Sequence, residues 1–90
     1  MGAQRFYVYV IYSSDHDKFY RGVTTDPERR LLEHNEGFAR WTLQYRPWEL
    51  YYLEVYETKR EALIREKVLK KYSKEQLRNL KTRKHPNRFI

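Results

Sequence analysis

Residues 48–56, WELYYLEVY, place apolar side chains on both faces of a predicted β-strand. Successive side chains of a strand point to opposite faces, so Leu50 and Leu53 lie on different sides. Tyr51 and Val55 share the face of Leu53. A strand that is apolar on both faces is poorly suited to a sheet with one face in water. We therefore expect this segment to be central in its sheet, or to be covered on both sides.

Two earlier segments are predicted to form a β-hairpin. Residues 5–12, RFYVYVIY, are rich in the β-branched and aromatic types that favour strands. Residues 19–23 form the second predicted strand, and the polar run SSDHDK between the two is typical of a turn.

A helix is predicted to follow the hairpin and to begin at Pro27. Proline disfavours helical geometry in the residue before it, so Asp26 is the expected N-cap. Gly37 is expected to end this helix. Residues 38–47 are predicted to be irregular or briefly helical.

Two capping boxes of the S/T-x-x-E/Q type locate the later helices. Thr58 and Glu61 open a helix that is predicted to run to about Lys71, and residues 73–76, SKEQ, open a shorter terminal helix. The predicted order of elements is therefore β-β-α-β-α-α.

Length and composition restrict the class of protein. The 90 residues are predicted to form one domain, with a core over about residues 5–80 and a basic tail at 81–90. The chain has no cysteine, which excludes a disulfide framework and a thiolate zinc site. It has neither an apolar signal region nor the run of about 18 apolar residues that spans a bilayer. We therefore expect a cytoplasmic protein with no membrane partner.

The net charge of +7 is concentrated in the C-terminal third. Residues 1–58 hold 7 Lys and Arg against 9 Asp and Glu, whereas residues 59–90 hold 12 against 3. Such a basic region attracts polyanions, of which nucleic acid is the commonest in the cytosol. A solvated helix face that binds nothing is the alternative. The candidate phosphate contacts are Arg21, Arg40, Lys67, Lys70, Lys71, Lys74, Arg78 and Lys81.

Glu66 is predicted to lie beside the buried stripe of its helix. Its neighbours three and four residues away are Ala62, Leu63, Leu69 and Lys70, and three of these four are apolar. Because desolvating a carboxylate is costly, Glu66 requires a compensating cation, metal ion or proton. An ion pair with Lys70 is one alternative, and a metal ion is the other.

Arg30 and His34 are four residues apart and share one face of the first helix. Arginine presents a planar fork suited to phosphate oxygens, and histidine can move a proton near neutral pH. An ion pair of Arg30 with Asp26 or Glu33, and an ordinary half-buried ring for His34, are the alternatives.

Tyr9 and Tyr20 lie on neighbouring predicted strands. A phenol is a poor base at neutral pH unless cations stabilise the phenolate, so packing roles are the alternative for both. Gly22 is unexpected within a strand, because glycine weakens a strand unless another group must approach its backbone closely.

Taken together, these residues resemble the GIY-YIG nuclease superfamily, above all its small, stand-alone bacterial members. The chain is also similar to the N-terminal incision domain of the excision-repair nuclease. The first signature would be YVY at 7–9 and the second YRG at 20–22, followed by the helix DPERRLLEH. EALIREKVLKK at 61–71 resembles the segment that carries the superfamily's metal-binding glutamate. The resemblance covers roughly residues 5–72.

The resemblance implies an α+β fold, with a small three-stranded antiparallel sheet flanked by helices, and a catalytic site. Tyr9 would activate or orient the attacking water, and Tyr20 would line the site. Arg30 would steady the pentavalent phosphate, and His34 would assist proton transfer. Glu66 would hold one divalent cation, Mg²⁺ or Mn²⁺.

Three further positions follow from the same resemblance. Gly22 would let substrate or a helix come close to the strand. Tyr7 and Val8 replace the glycine and isoleucine of the first signature, and Arg21 is the middle residue of the second. Asn79 is the nearest counterpart of an asparagine that many members carry downstream of the metal-binding glutamate.

The resulting expectation is a metal-dependent hydrolase that cleaves phosphodiester bonds in nucleic acid. DNA is favoured over RNA as the substrate, with recognition of backbone or shape, because no base-reading element is visible. The alternative is a non-catalytic nucleic-acid-binding module that keeps the nuclease scaffold and acts with a protein partner.

Overall fold

A computed structural model describes residues 4–80 and shows three β-strands in one antiparallel sheet. The strands are β1, Phe6–Ser13; β2, Lys18–Thr24; and β3, Glu49–Tyr56. The flanking helices are α1, Pro27–Asn35; α2, Arg40–Leu43; α3, Lys59–Leu69; and α4, Lys74–Leu80. The predicted fold is confirmed, and α2 is the brief helix expected within residues 38–47. Within residues 4–80, no helix has the length and apolar character needed to cross a membrane.

The strand order in the sheet is β2-β1-β3, so β1 is central and β3 lies at an edge. Of the two alternatives for residues 48–56, a central strand is wrong, and cover on both sides is confirmed. Tyr52, Leu53 and Glu54 are consecutive, and all three are buried. Side chains point out of the plane of a sheet, whereas neighbouring strands lie within it. An apolar pattern on both faces therefore reports what packs above and below a strand, and says nothing about its pairing partners.

The predicted helix starts are present. The Asp26 side chain accepts a hydrogen bond from the Arg29 N–H at 3.2 Å, and Thr58 Oγ1 accepts one from the Glu61 N–H at 3.2 Å. The capping box at residues 73–76 is reciprocal, with each end donating its backbone N–H to the side chain of the other.

The ends of the two longer helices follow from backbone hydrogen bonds. Gly37 comes just after α1 with a φ of +87°, and its N–H donates to the His34 carbonyl at 3.2 Å. The last residue of α3 is Leu69, two residues before the predicted end at Lys71. The Lys71 N–H donates to the Val68 carbonyl at 3.0 Å in a tighter turn, which closes the helix early.

The sheet separates two hydrophobic clusters. The cluster on the side of α3 and α4 contains Val8, Val10, Phe19, Tyr52, Ala62, Leu69, Leu77 and Leu80. The cluster on the side of α1 contains Tyr9, Ile11, Trp48 and Leu53, with Leu31 of α1 packed against it. Alternate residues of β1 contribute to the two clusters, because successive strand side chains point to opposite faces. Tyr9 is thereby directed toward α1.

A fully buried carboxylate, Glu54, lies on the opposite face of the sheet from Tyr9. It accepts hydrogen bonds from the hydroxyls of Tyr52 and Tyr56, each at 2.6 Å. Arg65 of α3 donates to both of its oxygens at 3.0–3.2 Å. These four residues, which the sequence analysis did not single out, are called the Glu54 cluster below.

Candidate active site

The pairing of β1 with β2 places Tyr9 directly opposite Gly22. A Cβ atom on residue 22 would lie 2.5 Å from the Tyr9 hydroxyl oxygen and 2.6 Å from its ring. Gly22 was expected to admit substrate or a helix. The close approach is real, but the group that makes it is the Tyr9 phenol, which lies across the glycine backbone.

The Tyr9 hydroxyl lies between two residues of α1. Its oxygen is 2.9 Å from His34 Nε2 and accepts a hydrogen bond from Arg30 Nε at 3.3 Å. His34 is fully buried and Tyr9 is 3% exposed. The spacing of four residues between Arg30 and His34 therefore brings both side chains to one phenol, as the shared helix face predicted.

Burial leaves both Tyr9 and His34 uncharged. Desolvation raises the pKa of Tyr9 to about 12, although the hydrogen bond from Arg30 opposes this shift. Desolvation, reinforced by the nearby Arg30 charge, lowers the pKa of His34 to about 4. At neutral pH the site therefore contains a phenol and a neutral imidazole.

Tyr20 lines the same site from β2. Its ring lies 6.3 Å from the Tyr9 ring and packs edge-on against the His34 ring at 5.0 Å, measured between centroids. On its other side Tyr20 stacks with Trp41 at 6.0 Å, and Trp41 is 43% exposed. The residues Tyr9, Tyr20, Arg30 and His34 are called the Tyr9 cluster below.

Arg30 connects the buried part of the site to the surface. Its Nη1 donates to Glu33 Oε1 at 3.0 Å, so Glu33 rather than Asp26 is its acidic partner within the described chain. Burial acts to lower the pKa of Arg30, but the hydrogen bonds to Tyr9 and Glu33 outweigh it and raise the pKa overall. The guanidinium is therefore a permanent cation, and 32% of its side chain is exposed.

Glu66 of α3 lies near this site. Its Oε2 is 3.4 Å from Lys70 Nζ, so the predicted i,i+4 ion pair is present. Its side chain is 16% exposed, while that of Lys70 is 56% exposed. The Glu66 charge nevertheless contributes to raising the pKa of Tyr9, and it opposes the burial that lowers the pKa of Arg21. Glu66 thus acts electrostatically on one residue of β1, Tyr9, and one residue of β2, Arg21.

The donor set fits a hard divalent cation held largely by water and substrate. Within residues 4–80, no three His, Cys, Asp or Glu side chains come together as a metal-binding group. Glu66 offers one carboxylate that reaches solvent and has a long ion pair as its contact. Mg²⁺ commonly binds through one or two carboxylates together with water and phosphate oxygens. Glu66 is therefore suited to such an ion, and not to a closed structural metal centre.

Besides Lys70, two more of the predicted phosphate contacts are already paired with a carboxylate. Lys74 Nζ and Arg78 Nη2 lie 3.3 Å and 2.6 Å from the carboxylate of Asp17 in the hairpin turn. Local sequence could not reveal this pairing, because Asp17 and Arg78 are 61 residues apart. Asp17 reduces the positive charge that α4 presents to a polyanion.

The other predicted contacts remain available to varying degrees. The exposed ones are Arg40, Lys67, Lys71 and Lys70, the last of which is the partner of Glu66. Arg21 is half-buried, and its Nη1 donates to the Phe19 carbonyl at 3.4 Å. Asn79 is exposed on α4, and its correspondence to the family asparagine stays a prediction. Lys81 lies outside the described residues.

Thr42 is the site residue that sequence reasoning missed. It is fully buried on α2, and its Oγ1 lies 2.8 Å from His34 Nδ1, on the side of the ring opposite Tyr9. The Trp48 indole N–H donates to the Thr42 carbonyl at 2.8 Å. Because residues 38–47 had no regular pattern, nothing in the sequence indicated that one of them would contact His34.

Comparison with known proteins extends these observations. Residues 5–81 match the model of the GIY-YIG catalytic domain. A UPF0213 protein of Haloquadratum walsbyi is 41% identical over 75 residues, which cover 82% of this chain and 83% of that protein. A UPF0213 protein of Staphylococcus aureus is 42% identical over 79 residues, which cover 86% and 95%.

A solved structure agrees with the fold. The solution NMR structure of a UPF0213 protein from Bacillus halodurans is 36% identical to this chain, with a TM-score of 0.52. The match covers 86% of this chain and 85% of that one. The chain therefore belongs to the GIY-YIG family, within the nuclease superfamily of that name, and is similar to UPF0213 proteins.

Proposed function

We propose that this protein is a metal-dependent endonuclease that hydrolyses phosphodiester bonds in DNA. One observation carries the proposal: the Tyr9 hydroxyl lies between Arg30 Nε and His34 Nε2, while the charge of Glu66 acts on it. This hydrolysis uses four kinds of group: an oxygen that can take a proton from water, a second group that accepts a proton in turn, a cation, and a carboxylate that binds a metal ion. Membership of the GIY-YIG family supports the same reaction class.

Arg30 would stabilise the charge that develops on the phosphate. Its guanidinium is anchored by Tyr9 and Glu33, and about one-third of the side chain is exposed, so a phosphate can approach it from solvent. A planar cation held in place stabilises negative charge without reorganising as the reaction proceeds. Glu33 holds the fork in this orientation before substrate binds.

Tyr9 and His34 would move the proton of the attacking water. With a pKa of about 12, Tyr9 must lose its own proton as it takes one from water. His34, with a pKa of about 4, is neutral and keeps a lone pair to receive that proton. A phosphate beside Arg30 offsets the positive charge that lowers the His34 pKa, so substrate makes His34 a better acceptor.

Glu66 would hold the divalent cation, Mg²⁺ or Mn²⁺, beside the phosphate. The bound ion supplies charge stabilisation on a phosphate oxygen. The ion pair between Glu66 and Lys70 joins i and i+4 positions, and one partner is mostly exposed. Such pairs are worth only about 0.3–0.5 kcal/mol, so Lys70 can turn from the carboxylate toward the substrate backbone.

Backbone contacts would supply most of the affinity for DNA. The exposed candidate phosphate contacts on α2, on α3 and just after α3 are Arg40, Lys67, Lys70 and Lys71. Four phosphate contacts predict that the logarithm of the binding constant falls with the logarithm of salt concentration with a slope of about −3 to −4. Fluorescence anisotropy with a labelled duplex at several salt concentrations measures this slope.

The catalytic assignment is tested by cleavage of end-labelled DNA with Mg²⁺ or Mn²⁺. The substrates are duplex, nicked, branched and single-stranded DNA, with the matching RNAs for comparison. We expect Glu66→Gln and Arg30→Gln each to lower the single-turnover rate by about 10²–10³-fold.

Matched controls come from the same two helices. Glu61→Gln changes an exposed carboxylate of α3, and Arg29→Gln changes an arginine with a 75% exposed side chain beside Arg30. Both should cut at the wild-type rate. Equal rates for Glu66→Gln, Arg30→Gln and wild type would disprove the assignment. Tight DNA binding without cutting of any substrate would favour the non-catalytic binding module instead.

A further inference from the structure

Thr42 lies behind the His34 ring, on the side away from Tyr9. Its Oγ1 is 2.8 Å from His34 Nδ1 and donates to the Ala39 carbonyl at 3.3 Å. We propose that Thr42 is a positioning residue that holds His34 in the tautomer with its proton on Nδ1. The catalytic meaning of this inference rests on the proposed function, but the tautomer does not.

The hydrogen bonds at the Arg30 end favour this tautomer. Arginine can only donate hydrogen bonds, so the Arg30 Nε–H donates one to the Tyr9 oxygen. The hydroxyl proton of Tyr9 is then directed to its other close partner, His34 Nε2, at 2.9 Å. A nitrogen that accepts this bond carries no proton of its own.

The hydrogen bonds at the Thr42 end select the same tautomer. The hydroxyl of Thr42 has one proton, and that proton goes to the Ala39 carbonyl. The Thr42 oxygen must therefore accept from His34, which requires a proton on Nδ1. Donation then runs in one direction through five groups, from Arg30 to Tyr9, His34, Thr42 and finally Ala39.

The position of Thr42 is itself fixed by Trp48, which also binds the last residue of α1. Trp48 donates its indole N–H to the Thr42 carbonyl at 2.8 Å. Asn35, the residue after His34, binds the Trp48 backbone twice, accepting from its N–H at 2.6 Å and donating to its carbonyl at 2.9 Å. The threonine and the histidine are thus held by one connected set of hydrogen bonds.

This direction suits hydrolysis. As water attacks phosphorus, its O–H bond breaks and the proton passes to the Tyr9 oxygen. The original Tyr9 proton passes to the lone pair of His34 Nε2, and the leaving oxygen departs with the electron pair of the broken P–O bond. His34 becomes an imidazolium that keeps its proton on Nδ1, hydrogen-bonded to Thr42 Oγ1. The other tautomer has no lone pair on Nε2 and could not accept.

The inference is tested by the ring nitrogens of His34 in the ¹⁵N-labelled full-length protein. Long-range ¹H–¹⁵N spectra at pH 7.5 distinguish protonated from unprotonated ring nitrogens, and His34→Gln identifies the signals among the three histidines. We expect a protonated Nδ1 in wild type and in Thr42→Ser. Thr42→Val, which cannot accept the bond, should show a substantial population protonated on Nε2.

Cleavage rates of the same proteins complete the test. We expect Thr42→Val to lower kcat at least 10-fold with little change in KM, and Thr42→Ser to retain most of the wild-type rate. Far-ultraviolet circular dichroism checks that both variants fold, and the wild-type spectrum decides the tautomer even where Thr42→Val does not fold.

Each outcome bears on one proposal. A wild-type His34 protonated on Nε2 overturns the inference whatever the cleavage rate, as does a folded Thr42→Val that keeps the wild-type tautomer. If no protein cleaves DNA while the tautomer follows the Thr42 hydroxyl, the proposed endonuclease function fails and control of the ring by Thr42 is supported.

Discussion

The Tyr9 cluster and the Glu54 cluster occupy opposite faces of the same three-stranded sheet, and both combine tyrosine with arginine. Glu54 is fully buried, and its charge is matched by Arg65 and by tyrosine hydroxyls. Although burial acts to raise its pKa, these partners lower the pKa overall. Its carboxylate is therefore charged and satisfied inside the protein.

The Tyr9 cluster differs because it contains no carboxylate, and the acidic groups near it, Glu33 and Glu66, lie at its edge. Tyr9 and His34 are neutral, Arg30 is one-third exposed, and the nearby Glu66 belongs to a different helix and reaches solvent. Such a site has a cation, a proton donor and a proton acceptor that can still respond to an anionic ligand. The comparison indicates that a buried contact between tyrosine and arginine is structural when a buried carboxylate matches the arginine charge. It is a candidate for catalysis when the arginine can still be reached by an anionic ligand.

Matched removal of one phenol from each cluster gives the largest expected contrast. Tyr9→Phe should lower the single-turnover cleavage rate by about 10²–10⁴-fold, because the proton path through the hydroxyl is lost. Tyr52→Phe should leave cleavage unchanged and lower the free energy of unfolding by about 1.5–3 kcal/mol, because it removes a hydrogen bond to a buried charge. Cleavage assays and urea unfolding of both variants check this. Equal losses of activity would show that the two clusters do not divide function from stability.

Breaking the Glu54 cluster at its cation should cost the most stability. Arg65→Met leaves the fully buried Glu54 carboxylate without its counter-ion, and such losses destabilise proteins by about 3–5 kcal/mol. Urea unfolding at neutral pH measures the change. A second variant, Arg65→Met with Glu54→Gln, should recover part of the loss. If the double variant is no more stable than the single one, the unpaired charge is not the cause.

Acid should weaken the two clusters in different pH ranges. His34 has a folded-state pKa of about 4, below its ordinary value near 6.5, so the unfolded chain binds more protons between these values. The free energy of unfolding should therefore fall by roughly 3 kcal/mol as the pH drops from about 6.5 to 4. Glu54 also has a lowered pKa, and its contribution is lost only at lower pH, below its ordinary value. In His34→Gln, the free energy of unfolding should change little over this pH range. If it falls as much as in wild type, groups other than His34 cause the fall.

A methyl group at residue 22 should disturb the Tyr9 cluster alone. In Gly22→Ala the new Cβ meets the Tyr9 phenol, which Arg30 and His34 hold in place. We expect a loss of stability of about 1–3 kcal/mol from overpacking, together with slower cleavage. Gly37→Ala is the control, because its φ of +87° and the contact of its new Cβ with Leu43 should lower stability without a new contact to the side chains of the Tyr9 cluster. If both variants cleave equally well, the Tyr9 position is not critical.

Much of the local structure was predictable because its causes are local. Pro27 with Asp26, and the capping box of Thr58 and Glu61, specify helix starts through contacts within three residues. The spacing of Arg30 and His34 placed both on one helix face. The resemblance to the GIY-YIG superfamily then selected Tyr9 among nine tyrosines, which no pattern of burial could have done.

Features that depend on distant segments were not predictable in this way. Three such features join residues that are not neighbours in the chain. They are the pairing of β1 with both β2 and β3, the contact of Tyr9 with Gly22, and the ion pair of Arg78 with Asp17. The Glu54 cluster and Thr42 belong to the same class.

Local chemistry in the sequence thus determined where helices and strands begin and which residue types could serve a phosphodiesterase. Tertiary structure alone decided which strand is central, which arginine is paired with a carboxylate, and which hydroxyl supports His34. The physical reason is that capping and periodicity act over a few residues, whereas strand pairing and buried hydrogen bonds are settled by packing of the whole chain.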